Sequence, residues 1–210
     1  MSAVDLTPKQ QRSQRTHEKF LNALQQALET KYFEHISIKE LAEGAEVSVG
    51  TFYRRFENKE ALLPLLYDDF GQELAQFVEL LENTPCEDLS QQVSVLCQQT
   101  ADFLLPRKSV FRTIHLNARL HPDTMFSNPS LDRNHAYGRI AQLVVQQMPD
   151  TVALDKRQRA ANMAVYMLVN GLLDQILYPT LTPATACPIA IDDFVTELNQ
   201  MILSYLQSQV

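Results

Sequence analysis

Glycine is scarce in this chain, with five residues in 210, while proline occurs ten times. Sheet-rich folds turn often and use glycine to do it, so the shortage weighs against them. Cysteine is scarcer still. Cys86, Cys97 and Cys187 are an odd set, and no two have Cys-x-x-Cys spacing. That excludes a disulfide framework and gives no support to zinc or thiol redox chemistry. Three small, buried or half-buried side chains in a reducing cytosol are expected instead. Long apolar runs are missing too. The segment from Ala160 to Leu173 is interrupted by Asn162 and Asn170 and ends against Asp174. A membrane span needs about 18 apolar residues in succession, so none is expected. Residues 1–14 hold no apolar segment, so no secretory signal is expected either.

Catalytic signatures are also lacking. There is no glycine-rich phosphate loop, dinucleotide fingerprint, nucleophile elbow or His-Glu-x-x-His. The chain is therefore not expected to be an enzyme or to carry a cofactor. His115, His121 and His135 are spaced in no pattern that suits zinc, so no metal is expected.

Long stretches rich in Leu, Ala, Gln and Glu lie between isolated prolines, which points to an all-α protein. The net charge of −7 is unevenly spread. Residues 1–60 carry nine Lys/Arg and nine Asp/Glu, and the remainder carries all of the excess acid. Two regions with different tasks are implied. The expected boundary lies at 58/59, between an N-terminal region over 1–58 and a larger all-α region over 59–210.

The first helix should start at Thr7-Pro8-Lys9-Gln10, with Phe20, Leu21, Leu24 and Leu28 on its apolar face. Ser37 can cap a second helix, with Glu40 completing a capping box. Gly44 to Val47 reads as a turn. Ser48 can cap a third helix running to about Phe56, and Asn58 a long fourth. Pro64 should kink the fourth helix or delay its regular start. Further helices are expected at about 87–105, 107–120, 130–148, 155–178 and 190–208, punctuated by prolines.

Helices two and three form a helix-turn-helix. At 100° per residue, Val49, Phe52 and Phe56 fall on one face of the third helix and should pack inward. Gly50, Thr51 and Arg54 fall opposite, with Tyr53 and Arg55 on the flanks. A helix anchored on its apolar side can enter a major groove with its exposed end. Gly50 permits close backbone approach, and Thr51 offers a hydroxyl and a methyl. Arg54 and Arg55 can bond phosphate or guanine. Tyr53 and Lys59 can reach phosphates, and the start of the helix capped by Ser37 suits the same purpose. Arg12 and Arg15 on the first helix could reach a neighbouring phosphate or groove.

Residues 37–62 resemble the DNA-binding segment of the tetracycline-repressor (TetR/AcrR) family. The resemblance is carried by Ile38, Leu41, Ala42, Ala45, Val47, Ser48, Gly50, Thr51, Phe52, Tyr53, Phe56, Lys59, Glu60 and Leu62. It implies a bacterial, cytoplasmic, homodimeric repressor that reads a palindromic operator in double-stranded DNA. A C-terminal domain would bind a small, largely apolar effector and move the two heads apart. By position, Val49, Gly50, Thr51 and Tyr53 match base-proximal sites, and Arg55 and Lys59 match phosphate sites. Two departures stand out. Glu46 replaces the usual turn glycine, at a cost on the order of 1 kcal/mol if its φ is positive. Val49 is apolar where some members carry a polar reader.

Beyond the head, aromatic, flexible or polar groups on apolar faces are candidate effector contacts: Phe103, Phe111, His115, Tyr137, Tyr166, Met167 and Asn170. The last two helices are apolar over broad bands and could form a four-helix dimer interface. Val165, Leu168 and Leu172 would serve on one helix, and Phe194, Leu198, Met201, Ile202 and Tyr205 on the other. The alternative to a ligand sensor is a DNA-bound interaction protein whose C-terminal domain recruits a protein partner.

Overall fold

The computed structural model describes residues 8–125 and 132–210, with side chains over 14–123 and 132–210. The expected N-cap Thr7 lies outside the described residues. The described residues are all-α and contain no strand. The helices are α1 (Pro8–Leu28), α2 (Ile38–Gly44), α3 (Val49–Tyr53), α4 (Leu63–Glu82) and α5 (Leu89–Leu104). Then come α6 (Lys108–Leu120), the single turn α7 (Pro122–Met125), α8 (Arg133–Gln147), α9 (Leu154–Leu177) and α10 (Ile191–Gln207). A 3-10 turn over Lys59–Leu62 precedes α4, so the regular helix starts late, with Pro64 in its first turn. There the missing N–H costs no intrahelical bond.

The chain divides into two compact units. The first comprises Met1–Phe70 and Ser109–Pro129, and the second Gly71–Lys108 and Ser130–Val210. The boundary placed at 58/59 from the sequence falls inside the first unit. The opening turns of α4 and nearly all of α6 group with the N-terminal helices.

In the first unit, α1 packs on α2 and α2 on α3. Phe20, Leu24 and Leu28 are inaccessible, as are Phe52, Leu62, Leu63 and Leu66. The rings of Phe20, Phe52 and Phe56 meet at centroid distances of 5.2–5.7 Å, edge-on or tilted. Ring edges are positive and faces negative, so this geometry adds attraction beyond the area buried. At Gly44 a Cβ would stand 3.1 Å from the Ala23 Cβ, so glycine there lets α1 and α2 close together. On α6, Phe111 stacks on Phe70 at 4.8 Å, and the Arg112 guanidinium lies 4.2 Å from the centroid of Tyr32.

In the second unit, α5, α8, α9 and α10 pack against one another. Ala160, Ala161, Ala164, Leu168 and Leu172 of α9 form its buried stripe. Gly171 lets α10 approach, since a Cβ there would lie 3.4 Å from Leu198 and Phe194. Contrary to the sequence expectation, α9 is long and apolar enough to cross a membrane on length and composition alone. Here that apolarity is used against protein on one side of the helix. All three cysteines are free, with Cys97 buried and its thiol pushed up to about 12 by that burial.

Candidate nucleic-acid interface

The helix-turn-helix is set by local bonds that the sequence announces. Ser37 Oγ accepts from the Glu40 N–H at 3.2 Å, and the Glu40 carboxylate accepts from the Ser37 N–H at 2.9 Å. This closes the capping box at α2. Lys31 also donates to Glu40, and this bond together with those from Ser37 holds the Glu40 carboxyl down at about 2. An ionised carboxylate therefore occupies the position where the start of α2 was expected to take a phosphate. Ser37 serves as a cap, and the box satisfies the N–H groups of Ser37 and Glu40.

The turn after α2 closes with Val47 N–H on Ala42 O at 2.9 Å and Glu46 N–H on Glu43 O at 3.0 Å. This is the Schellman pattern, and it requires a left-handed residue after the C-cap. Glu46 fills that position with φ of 55°. Its side chain leans toward Lys19, 3.5 Å away.

On α3, Ser48 Oγ accepts from the Thr51 N–H at 3.2 Å and caps the helix. Phe52 and Phe56 point into the aromatic core as expected. Val49 does not: it is 38% exposed. As the first residue of a five-residue helix it lies beyond the reach of the core, and it stands on the outer face with Gly50, Tyr53 and Arg54. Tyr53 is 58% exposed, its ring edge-on to Phe52. Thr51 is half-buried, and its Oγ1 lies 3.0 Å from Ser48 Oγ and accepts from Arg54 Nη2 at 2.9 Å. Arg55 is half-buried on the flank. Its charge, after burial against Phe56, helps keep the His17 imidazole below its usual range. Arg15 is exposed on α1, and the side chain of Arg12 lies outside the described residues.

Lys59 differs from expectation. Its Nζ donates to three backbone carbonyls, Phe33 O and Glu34 O at 2.9 Å and Ile36 O at 3.2 Å. It also sits 4.8 Å from the Phe33 ring centroid. An ammonium has three N–H donors, and all three are engaged. Lys59 thus locks the 3-10 turn Phe33–His35 to the start of α4 and offers no spare donor to a phosphate. The partners lie 23–26 residues away, and nothing in the local sequence marks them.

The effector candidates do not form one pocket. Phe111 and His115 lie on α6 beside Phe70. Phe103 is sandwiched between Phe77 and the Arg107 guanidinium, and Arg107 is paired with Glu73. Only Tyr137, Tyr166 and Asn170 come together, in an open groove of about 510 Å³ between α8 and α9. Met167 is half-buried and does not line it. Asn170 is exposed and donates to Tyr166 O at 2.9 Å, so it is not a buried amide seeking a partner. Gln158, Asn162 and Asn134 complete the groove and were missed. Stepping back by fours from Tyr166 would have reached Asn162 and Gln158. No charged residue lines it among the described residues, and partial burial pushes the Tyr137 phenol up, against the pull of Arg133.

The dimer candidates also need correction. Val165, Leu168, Leu172, Leu198 and Ile202 are buried within the single chain. They pack between α9, α10 and their neighbours, and Val165 also forms part of the floor of the open α8–α9 groove. Phe194 and Tyr205 are half-buried and Met201 is exposed. The outward stripe of α9 is instead Met163, Met167 and Asn170.

Residues 21–66 match the family described as bacterial regulatory proteins, tetR family. No curated protein matches. Among solved structures, a TetR-family regulator from Mesorhizobium loti aligns at a TM-score of 0.61 and 15% identity, over 94% of this chain and 98% of that one. FadR from Bacillus subtilis, in complex with stearoyl-CoA, aligns at 0.57 and 11%, over 91% and 98%. The dihydroxyacetone kinase operon activator DhaS aligns at 0.55 and 11%, over 92% and 97%. The N-terminal segment thus matches the tetR-family helix-turn-helix, and the chain as a whole shares its fold with solved tetR-family regulators.

Proposed function

We propose that this chain is a homodimeric, ligand-responsive repressor that binds a palindromic operator in the bacterial cytoplasm. One observation carries the reading: the outer face of α3 presents Val49, Gly50, Tyr53 and Arg54, with Ser48 exposed at its start and Thr51 half-buried between them, while Phe52 anchors the helix with no exposure. A short, capped helix with a rigid base and a polar, cationic outer face suits a major groove. Arg15, Arg54 and Arg55 supply charge for phosphates or bases. Dimerisation would use the outward stripes of α9 and α10, where Met163, Met201, Phe194 and Tyr205 leave apolar surface uncovered. The α8–α9 groove is the best candidate effector site. Its carboxamides and two phenols over a floor of Val165 and Val169 suit a neutral, largely apolar ligand. An acyl-CoA of the kind FadR holds would need a cation for its phosphates, and among the described residues none lines the groove, the nearest charge felt by Tyr137 being Arg133.

The test is selection of the purified protein against a random duplex library at physiological salt. An enriched palindrome supports a dimeric sequence reader. Retention that is weak, salt-sensitive and without a motif overturns the repressor reading. The outward apolar stripes also favour a second reading, in which they recruit another protein to DNA. A sedimentation dimer whose interface is broken by Met201→Asp, with loss of palindrome binding, argues for the first reading over the second.

A further inference from the structure

On α3 three side chains form a connected chain of polar contacts along the exposed face. Ser48 Oγ and Thr51 Oγ1 are 3.0 Å apart, and Arg54 Nη2 donates to Thr51 Oγ1 at 2.9 Å. The Thr51 hydroxyl is therefore bonded on both sides by its own helix. A hydroxyl has one donor and two acceptor positions, so one position remains, and these two bonds fix how the group is turned. The arginine is in the opposite position. A guanidinium has five N–H donors, and this contact uses one. Among the described residues Arg54 takes part in no salt bridge.

Its direction matters as much as its freedom. Helical side chains lean toward the N-terminus, so an i to i−3 bond draws the Arg54 head back over the turn that holds Gly50 and Thr51. A Cβ on Gly50, at i−4, would meet only Ser48 Oγ, at 3.8 Å, so the surface of this turn is open. The end of α3 that enters a groove thus carries a planar, bidentate donor borrowed from the helix's far end. The other nearby cations are placed differently: Arg55 is half-buried, and the donors of Lys59 are engaged with carbonyls.

We infer that Arg54 reads a guanine in each half-site, and that Thr51, held by Ser48, is the positioning residue that aims it. The fork geometry fits O6 and N7 of guanine and no other base edge as well. This rests on the DNA-reading function proposed above. It reverses the expectation that the Thr51 hydroxyl itself touches a base.

The experiment starts from the selected palindrome. Each guanine in one half-site is replaced in turn by 7-deazaguanine, which lacks the N7 acceptor. Binding is measured for the wild type, Arg54→Ala, Thr51→Val and Thr51→Ser, each checked for an unchanged melting temperature. One guanine should be sensitive in the wild type, with affinity falling roughly ten- to hundredfold on replacement. Arg54→Ala should bind both duplexes equally. Thr51→Val keeps the methyl and loses the hydroxyl, and should lose most of that guanine discrimination. Thr51→Ser keeps the hydroxyl and should retain it. If no guanine becomes insensitive in Arg54→Ala, the reader assignment is overturned. If Thr51→Val discriminates as the wild type does, or Thr51→Ser loses preference at a thymine instead, the positioning role is overturned. A selection that yields no motif at all overturns the proposed function and this inference together, and so is distinct from either.

Discussion

The N-terminal helices and the C-terminal bundle are held by different kinds of bond. In the first, position is set by short-range devices: the Ser37–Glu40 capping box, the Schellman turn at Glu46, the Ser48 and Asn58 caps and the triad of Phe20, Phe52 and Phe56. Inside and outside are sharply separated, and the residues up to 60 are charge-neutral. In the second, long helices pack through broad alanine- and leucine-rich stripes, and the whole excess of negative charge lies there or nearby. On the proposed function, the contrast follows from what each region would have to meet. A duplex presents the same phosphates and base edges to every reader, so few residue choices will do. An effector has no fixed chemistry, so the helices that could hold it are constrained only to pack.

The largest expected effect tests whether that contrast reflects independent stability. Phe52 and Leu172 are both inaccessible, one in each unit. Truncating either to alanine should cost about 3–5 kcal/mol. Native-state hydrogen exchange reads where the loss falls. Phe52→Ala is expected to speed exchange in α1–α3 and spare α9 and α10, and Leu172→Ala to do the reverse. Equal acceleration in both regions from either change would show one cooperative unit, and the division would carry no energetic meaning.

Next in size is Lys59→Ala, at about 2 kcal/mol, because three carbonyls lose a charged donor. Thermal unfolding and DNA affinity should fall together, and the salt dependence of binding should stay as in the wild type. An unchanged melting temperature with a smaller salt slope would return Lys59 to phosphate contact.

How much of this was legible from the sequence divides along the same line. The caps at Ser37, Ser48 and Asn58 and the late start of α4 were readable because their causes lie within a few residues. Val49 was misplaced because a five-residue helix is too short to define a stripe. Lys59 was misread because its partners are remote in sequence. Val165, Leu168 and Leu172 were assigned to a dimer because an apolar stripe looks the same whether its partner is α10 or a second chain. Phe103, Phe111 and Tyr137 were grouped because periodicity says which face a residue occupies and not what lies opposite.

A smaller effect concerns acid. His17 packs on Phe56, and burial, then Arg55, lowers its pKa from 6.5. A base that is harder to protonate when folded takes up protons preferentially when unfolded. Its contribution to stability is therefore complete above 6.5 and declines as pH falls through that value, levelling off below the folded pKa. Urea unfolding followed from pH 7.5 to 5.5 should show this decline, and His17→Gln should flatten it. Glu40 behaves in the opposite range. Its capping bonds hold until pH falls from about 4.5 toward about 2, so the two contributions are separable by pH.

The smallest change is the one that most sharpens the comparison. Glu46 is the only non-glycine among the described residues with positive φ, and it is mostly exposed. A left-handed L-residue costs on the order of 1 kcal/mol, and its ion pair with Lys19, exposed on both sides, returns almost nothing. Glycine would relieve the strain while adding freedom to the unfolded chain, so Glu46→Gly should stabilise by somewhat less than 1 kcal/mol. It should also raise affinity for all DNA slightly, since a carboxylate leaves the turn just before α3. Both gains, read by melting temperature and by binding to a random duplex, would show that the N-terminal unit tolerates a strained turn and a misplaced charge that its function does not need. A loss of stability instead would mean that the Lys19 contact orients α1 against the turn, and that in this unit even the exposed bonds are part of how α3 is held.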